Sequence, residues 1–169
     1  KKISFFKFVI SIFLIFTLLD FLIGKYLYNK FARSEFIDVD ISFGLQDDIY
    51  DHKFKSSHNS TVGWGNYRYS FCTDANGFRA NCKDQFSNKK EFDIAFAGDS
   101  FTEPVGLNFE KSFVGLISKS LKNKKIVNLS AASYSPSIHY SKINFLLSNN
   151  YKFKEVIVFI DLSDVVDDA

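Results

Sequence analysis

Methionine is absent from all 169 residues, and tryptophan, proline and cysteine are scarce, at one, two and two. A chain with no initiator methionine is expected to be a fragment or a trimmed product. Two prolines exclude collagen-like and proline-rich low-complexity classes. The two cysteines, Cys72 and Cys82, are too few for a disulfide-dense scaffold, and their spacing fits no zinc-ligand pattern. An excess of one charge is missing too, since 21 Lys+Arg oppose 19 Asp+Glu for a net charge of +2. That balance gives no basic footprint for nucleic acid and no acidic disordered tail. What is present is apolar: 46% of residues are hydrophobic, with 21 Phe and eight Tyr, enough for the core of one domain.

The longest apolar run is FVISIFLIFTLLDFLIG, Phe8 to Gly24, between Lys7 and Lys25, with 13 of its 17 residues Phe, Leu, Ile or Val. Inserting those residues into a bilayer gains ~5 kcal/mol, against ~3 kcal/mol for the off-centre Asp20. Residues 1–28 are therefore expected to be a single-pass membrane anchor, extended by flanking aromatics and with its lysines snorkelling. A cleaved signal peptide competes, but Gly24-Lys25-Tyr26-Leu27 offers no small-x-small cleavage site. Flanking charge does not set the orientation, because Lys1, Lys2 and Lys7 are matched by Lys25, Lys30 and Arg33.

Residues 29–91 read as a stalk, polar and without sustained periodicity, carrying one small β element. Tyr67, Tyr69 and Phe71 alternate with Arg68 and Ser70, as in a half-buried strand, and lead towards an Asn76-Gly77 turn. Cys72 and Cys82 flank that turn and are able to meet. In an oxidising compartment a disulfide there contributes about 2 to 3 kcal/mol, and two free thiols remain the alternative.

From Phe92 onward strand and helix patterns alternate. The run Phe92–Ala97 reads as a strand ending in Gly98-Asp99-Ser100, followed by a helix with Phe109, Phe113, Leu116, Ile117 and Leu121 on one face. Residues 125–129 read as a second strand. Ser135-Pro136 opens a second helix running to about Asn149, with proline at its first position. Residues 155–160 form a third, continuously apolar strand of the kind covered on both faces. This alternation predicts an α/β domain over residues 92–169: a three-layer, doubly wound parallel sheet cut off after its third strand. Ligands of such sheets bind beyond the carboxyl ends of the strands. The pattern puts there Gly98, Asp99, Ser100, Thr102 and Glu103, then Ser130 to Ser135, then Asp161, Ser163, Asp164, Asp167 and Asp168.

The stretch Phe96-Ala97-Gly98-Asp99-Ser100-Phe101-Thr102-Glu103, with two further βα units behind it, resembles the first block of the SGNH (GDSL-type) esterase and acyltransferase superfamily. Trp64-Gly65-Asn66-Tyr67 and Asn76-Gly77-Phe78-Arg79 look like the lead-in of its membrane-anchored bacterial members. The resemblance implies that Ser100 is the catalytic nucleophile and that its backbone N–H is one oxyanion donor. The other donors, a glycine amide and an asparagine side chain in the family, fall here on Ser133 and Ser163. Asp99, Asn128 and Asp164 support this rim. The family's acid and base, an Asp-x-x-His near the C-terminus, have no counterpart before Ala169, and His52, His58 and His139 do not match that motif. The chain as given is therefore expected to be inactive by itself, its complete form longer by ~100 residues or more.

The implied function is that of an extracytoplasmic, membrane-anchored serine esterase or O-acyltransferase. Its substrate would be an acyl ester, with O-acetyl groups of a cell-surface glycan as one candidate class, and it would need no cofactor or metal. Two alternatives stand beside it. One is a non-catalytic surface or assembly module of the same fold, suggested by Ser133 and Ser163. The other is a Mg²⁺-dependent phosphoryl-transfer domain, in which Asp99 with Asp161 or Asp164 holds the ion.

Overall fold

The apolar run folds as α1 (Lys2–Leu27) in the computed structural model, which describes residues 2–27, 43–65, 67–162 and 164. Within α1, Phe5–Leu27 spans 23 residues at a mean hydropathy of 2.4. At its helical rise this is roughly 35 Å, long and apolar enough to cross a hydrocarbon core about 30 Å thick. Every side chain from Phe5 to Leu27 is exposed, consistent with apolar residues on all faces rather than in one stripe. The Thr17 hydroxyl is satisfied locally, donating to the Phe13 and Leu14 carbonyls at 3.0 Å. This helix lies in a unit, Lys1–Asp38, distinct from the one formed by Val39–Ala169.

The second unit begins with two antiparallel hairpins. β1 (Gly44–Asp47) pairs with β2 (Asp51–Phe54), Asp47 facing Asp51. Asp47 shapes the connection by accepting from the Ile49 and Tyr50 amides at 3.0 and 3.2 Å, as Asp commonly does in turns. β3 (Asn59–Trp64) pairs with β4 (Tyr67–Cys72), turning at Gly65 with φ +54°. The segment read as a stalk thus holds two hairpins in its described part, while residues 29–42 lie outside the described residues. The strand read at Tyr67–Phe71 is present, but its partner is β3 and not a strand beyond Asn76-Gly77. That dipeptide does turn, with Gly77 at φ +80° and the Asp74 carboxylate accepting from the Asn76 and Phe78 amides at 2.9 Å. What it closes is a short bridge between Thr73 and Arg79, latched by a Cys72–Cys82 disulfide.

The α/β portion follows in the expected order: β5 (Glu91–Ala97), α2 (Phe113–Ser120), β6 (Ile126–Asn128), α3 (Pro136–Ser148) and β7 (Lys152–Val158). The three strands form one parallel sheet, β6-β5-β7, with β5 in the centre. Both helix starts use the residues that physics favours. Ser112 caps α2 by accepting from the Gly115 amide at 3.0 Å, and Pro136 occupies the first turn of α3.

Two details depart from the sequence pattern. α2 is short and follows a 3₁₀ turn at Phe109–Lys111, and it buries Val114 and Gly115 while Phe113, Leu116 and Leu121 stay exposed. β7 begins at Lys152 and is an edge strand, so Val156, Ile157 and Val158 are 38 to 40% exposed rather than covered on both faces. Among the described residues no strand pairs with its outer edge.

The core joins hairpins to sheet. Tyr50, Phe54, Val62, Tyr69 and Phe71 from the hairpins pack on Ala131 and Tyr134 after β6, with Ile138 and Phe145 of α3 against them. Phe145 also touches the second cluster, Phe78, Phe92, Ala95, Val127, Leu129 and Leu146. Burying each large apolar side chain contributes about 1.5 to 3 kcal/mol, so the hairpins are held to the sheet by several such terms. Arg79 adds a polar rivet. It is 2% exposed, stacks on Phe71, and donates to the Cys72, Ala80, Ser70 and Leu107 carbonyls at 3.0 to 3.3 Å. Through Leu107 it ties β4 to the loop that leaves Ser100.

Candidate functional site

The carboxyl ends of β5, β6 and β7 point the same way because the strands are parallel, so the loops that follow them share one rim. Gly98 opens the first loop. A Cβ there would collide with the Thr102 hydroxyl and lie 2.7 Å from its Cβ, so only glycine lets the turn fold back this tightly. Asp99 organises the turn: its Oδ1 accepts from the Phe101 amide at 3.0 Å and its carbonyl from the Glu103 amide at 2.9 Å.

Ser100 sits at the crest of this turn, partly exposed. Its hydroxyl makes a long contact of 3.5 Å with Asp99 Oδ2, and its carbonyl accepts from the Val105 amide at 3.0 Å. Neither His52, His58 nor His139 hydrogen-bonds to Ser100 among the described residues. His52 spends its ring on Asp51 at 2.6 Å and the Ala132 carbonyl at 2.9 Å, and His58 on Ser60 at 2.9 Å. His139 is buried on α3, which pushes its pKa down and favours the neutral ring.

The loop after β6 is fastened to the Ser100 turn at two points. Asn128 donates to the Thr102 carbonyl at 2.7 Å and accepts from the Ser130 amide at 3.0 Å. Glu103 accepts from the Ala132 amide at 2.5 Å. Next in the chain, Ser133 is exposed and adopts φ +61°, the left-handed region that glycine occupies without strain. The position that the family resemblance gives to glycine therefore has a glycine-like backbone with serine in it.

The loop after β7 also closes on the turn. One carboxylate oxygen from each of Asp99, Asp161 and Asp164 lies within 4.8 Å of the others. Asp164, 1% exposed, accepts from the Asp161 amide at 3.0 Å through Oδ2. Ser163 lies outside the described residues, as do Asp167 and Asp168. The structure thus brings together Asp99, Ser100, Asn128, the 130–134 loop, Asp161 and Asp164.

Two buried charges beneath the rim carry more of its architecture than their residue types suggest. Glu103 is 3% exposed, and burial pushes its carboxyl up to about 7 against the opposing pull of the Ala132 amide, Arg79 and Lys142. Lys142 lies on α3, and burial pushes its ammonium down to about 7. It donates to the Leu129 carbonyl at 2.7 Å and the Tyr134 hydroxyl at 3.0 Å. No local signal in the sequence marks Lys142, although it shares the buried face of α3 with His139 and Leu146 at i, i+3 and i+7 spacing. Comparison with protein-family models, curated proteins and solved structures finds no match to this chain.

Proposed function

We propose that this chain carries the nucleophile-bearing part of an SGNH-type serine esterase or O-acyltransferase, built on a doubly wound sheet. The observation behind this reading is the convergence of three loops on one serine. Ser100 crests a glycine-dependent turn at the end of the central strand, and the post-β6 and post-β7 loops meet that turn through Glu103 with Ala132 and Asp99 with Asp161 and Asp164. Acyl transfer needs such an arrangement, because the hydroxyl must reach an ester carbonyl while separate donors face the developing oxyanion. The Ser100 and Ser133 amides are the donors this reading assigns, joined by the Ser163 hydroxyl.

The serine hydroxyl attacks the carbonyl carbon, its proton passes to a histidine base, and the alcohol portion of the ester leaves to give an acyl-serine. Water or a second hydroxyl then takes the acyl group. In this reading the base is a histidine of the kind the family's Asp-x-x-His motif supplies, and the acyl ester belongs to a cell-surface glycan. The reading also takes α1 as a retained membrane anchor with residues 43–164 outside the cytoplasm. The Cys72–Cys82 disulfide supports that side, since such bonds persist in oxidising compartments. Turnover of an acetyl ester by the natural protein containing this chain tests the proposal. Loss of at least ~10³-fold in Ser100→Ala supports it, and unchanged turnover in that variant refutes it.

A further inference from the structure

Three carboxylates gather at the rim beside Ser100, where the esterase reading gives them only the shaping of loops. Asp99 is 9% exposed, Asp164 is 1% exposed and Asp161 is open to solvent, yet one oxygen from each falls within 4.8 Å of the other two. Like charges this close repel one another, and a cation between them relieves that repulsion. Neither Asp99 nor Asp164 has a lysine or arginine ion pair among the described residues.

A second observation concerns hydrogen-bond supply. The Asp164 Oδ1 atom is buried with no partner among the described residues, while its Oδ2 is used on the Asp161 amide. A buried carboxylate oxygen left unpaired is costly, and native structures seldom leave one so without an ion or water. The Nε2 atom of His139 is likewise buried and unpartnered, and this ring lies close enough to Asp99 and Asp164 to feel both charges.

We propose that Asp99, Asp161 and Asp164 bind one hard divalent cation, calcium in preference to magnesium, pinning the tip of β5 to the loop after β7. Carboxylate oxygens suit such ions, and opposite ligands across calcium stand about 4.6 to 5.2 Å apart, a span that accommodates the observed cluster. Calcium tolerates the irregular geometry of ligands from two loops, whereas magnesium demands a near-ideal octahedron. The exposed Asp161 gives the ion a route from solvent, and water completes its shell. The site does not depend on Ser100 acting as a nucleophile.

Calorimetric titration of the full chain in nonionic detergent micelles with calcium chloride tests this directly. The expected result is one saturable site with a dissociation constant on the order of 10⁻⁴ to 10⁻³ M, the range of extracellular calcium modules. Asp161→Asn and Asp164→Asn should each weaken it at least ~10-fold, while Ser100→Ala leaves it unchanged. Asp161 is exposed, so its variant retains the fold even if Asp164→Asn does not. Absence of saturable binding up to about 10 mM, or binding by Asp161→Asn equal to that of the parent, overturns the site. Tighter binding of magnesium than of calcium overturns the choice of ion.

Discussion

Replacing Glu103 with glutamine should make the protein more stable at alkaline pH and nearly leave it alone at acid pH. Burial lifts the Glu103 carboxyl from 4.5 to about 7 in the folded state. Below pH 4.5 both folded and unfolded chains hold the proton, so the group costs nothing. Between 4.5 and about 7 the unfolded chain releases its proton while the folded chain keeps it, and stability falls as pH rises. Above 7 both are ionised and the whole penalty is present. That gap corresponds to ~3 kcal/mol, with the attraction of Arg79 and Lys142 already contained in the folded value. Glutamine keeps a carbonyl oxygen for the Ala132 amide, so the tie to the post-β6 loop survives. Lys142 works in the opposite sense, its stabilisation growing as pH rises from about 7 towards 10.5, but it is present in both proteins and largely cancels in the difference. Urea unfolding at pH 5 and pH 8, followed by near-ultraviolet circular dichroism, should give Glu103→Gln an advantage of about 2 to 3 kcal/mol at pH 8 and under ~1 kcal/mol at pH 5. An equal difference at the two pH values, or a larger one at pH 5, refutes the account of Glu103 as a buried, proton-holding clamp.

Other perturbations test the remaining parts of the rim. Ser133→Gly should stabilise by up to ~1 kcal/mol, because φ +61° strains serine more than the extra freedom of unfolded glycine costs; a lower urea midpoint would count against this. Gly98→Ala should destabilise by ~2 kcal/mol or more, since its new methyl meets Thr102, and a neutral result in the same assay would show the turn to be looser than described. Replacing Cys72 and Cys82 together with alanine should cost about 2 to 3 kcal/mol, from the short loop of sequence separation 10 that they close. Equal stability of that variant and the oxidised parent would remove the disulfide from the account.

Much of this architecture is legible in the residues, and the exceptions have physical reasons. The βαβαβ order shows because Gly98-Asp99-Ser100 ends an apolar run and Ser135-Pro136 announces a helix start, both local signals. The β1–β2 hairpin is hidden because its strands are four residues long and its buried residues, Tyr50 and Phe54, are four apart, a spacing that one face of a strand and one face of a helix share. They are buried by aromatics distant in sequence, such as Phe145. Residues 155–160 read as a fully covered strand because a continuous apolar run says nothing about which neighbours exist to cover it. At the site, Ser100, Asp99 and Asn128 are found from motif and strand position. Glu103 is legible only as a rim residue and Lys142 not at all, since the burial of a charge depends on packing that no local pattern encodes.

The central claim is that Ser100 is a nucleophile at the meeting point of three loops. A fluorophosphonate probe applied to the natural protein containing this chain, with the modified peptide mapped by mass spectrometry, addresses it most directly. The account predicts a single phosphonyl adduct on Ser100 that disappears in Ser100→Ala. An adduct on another serine, or labelling that persists in Ser100→Ala, would contradict it.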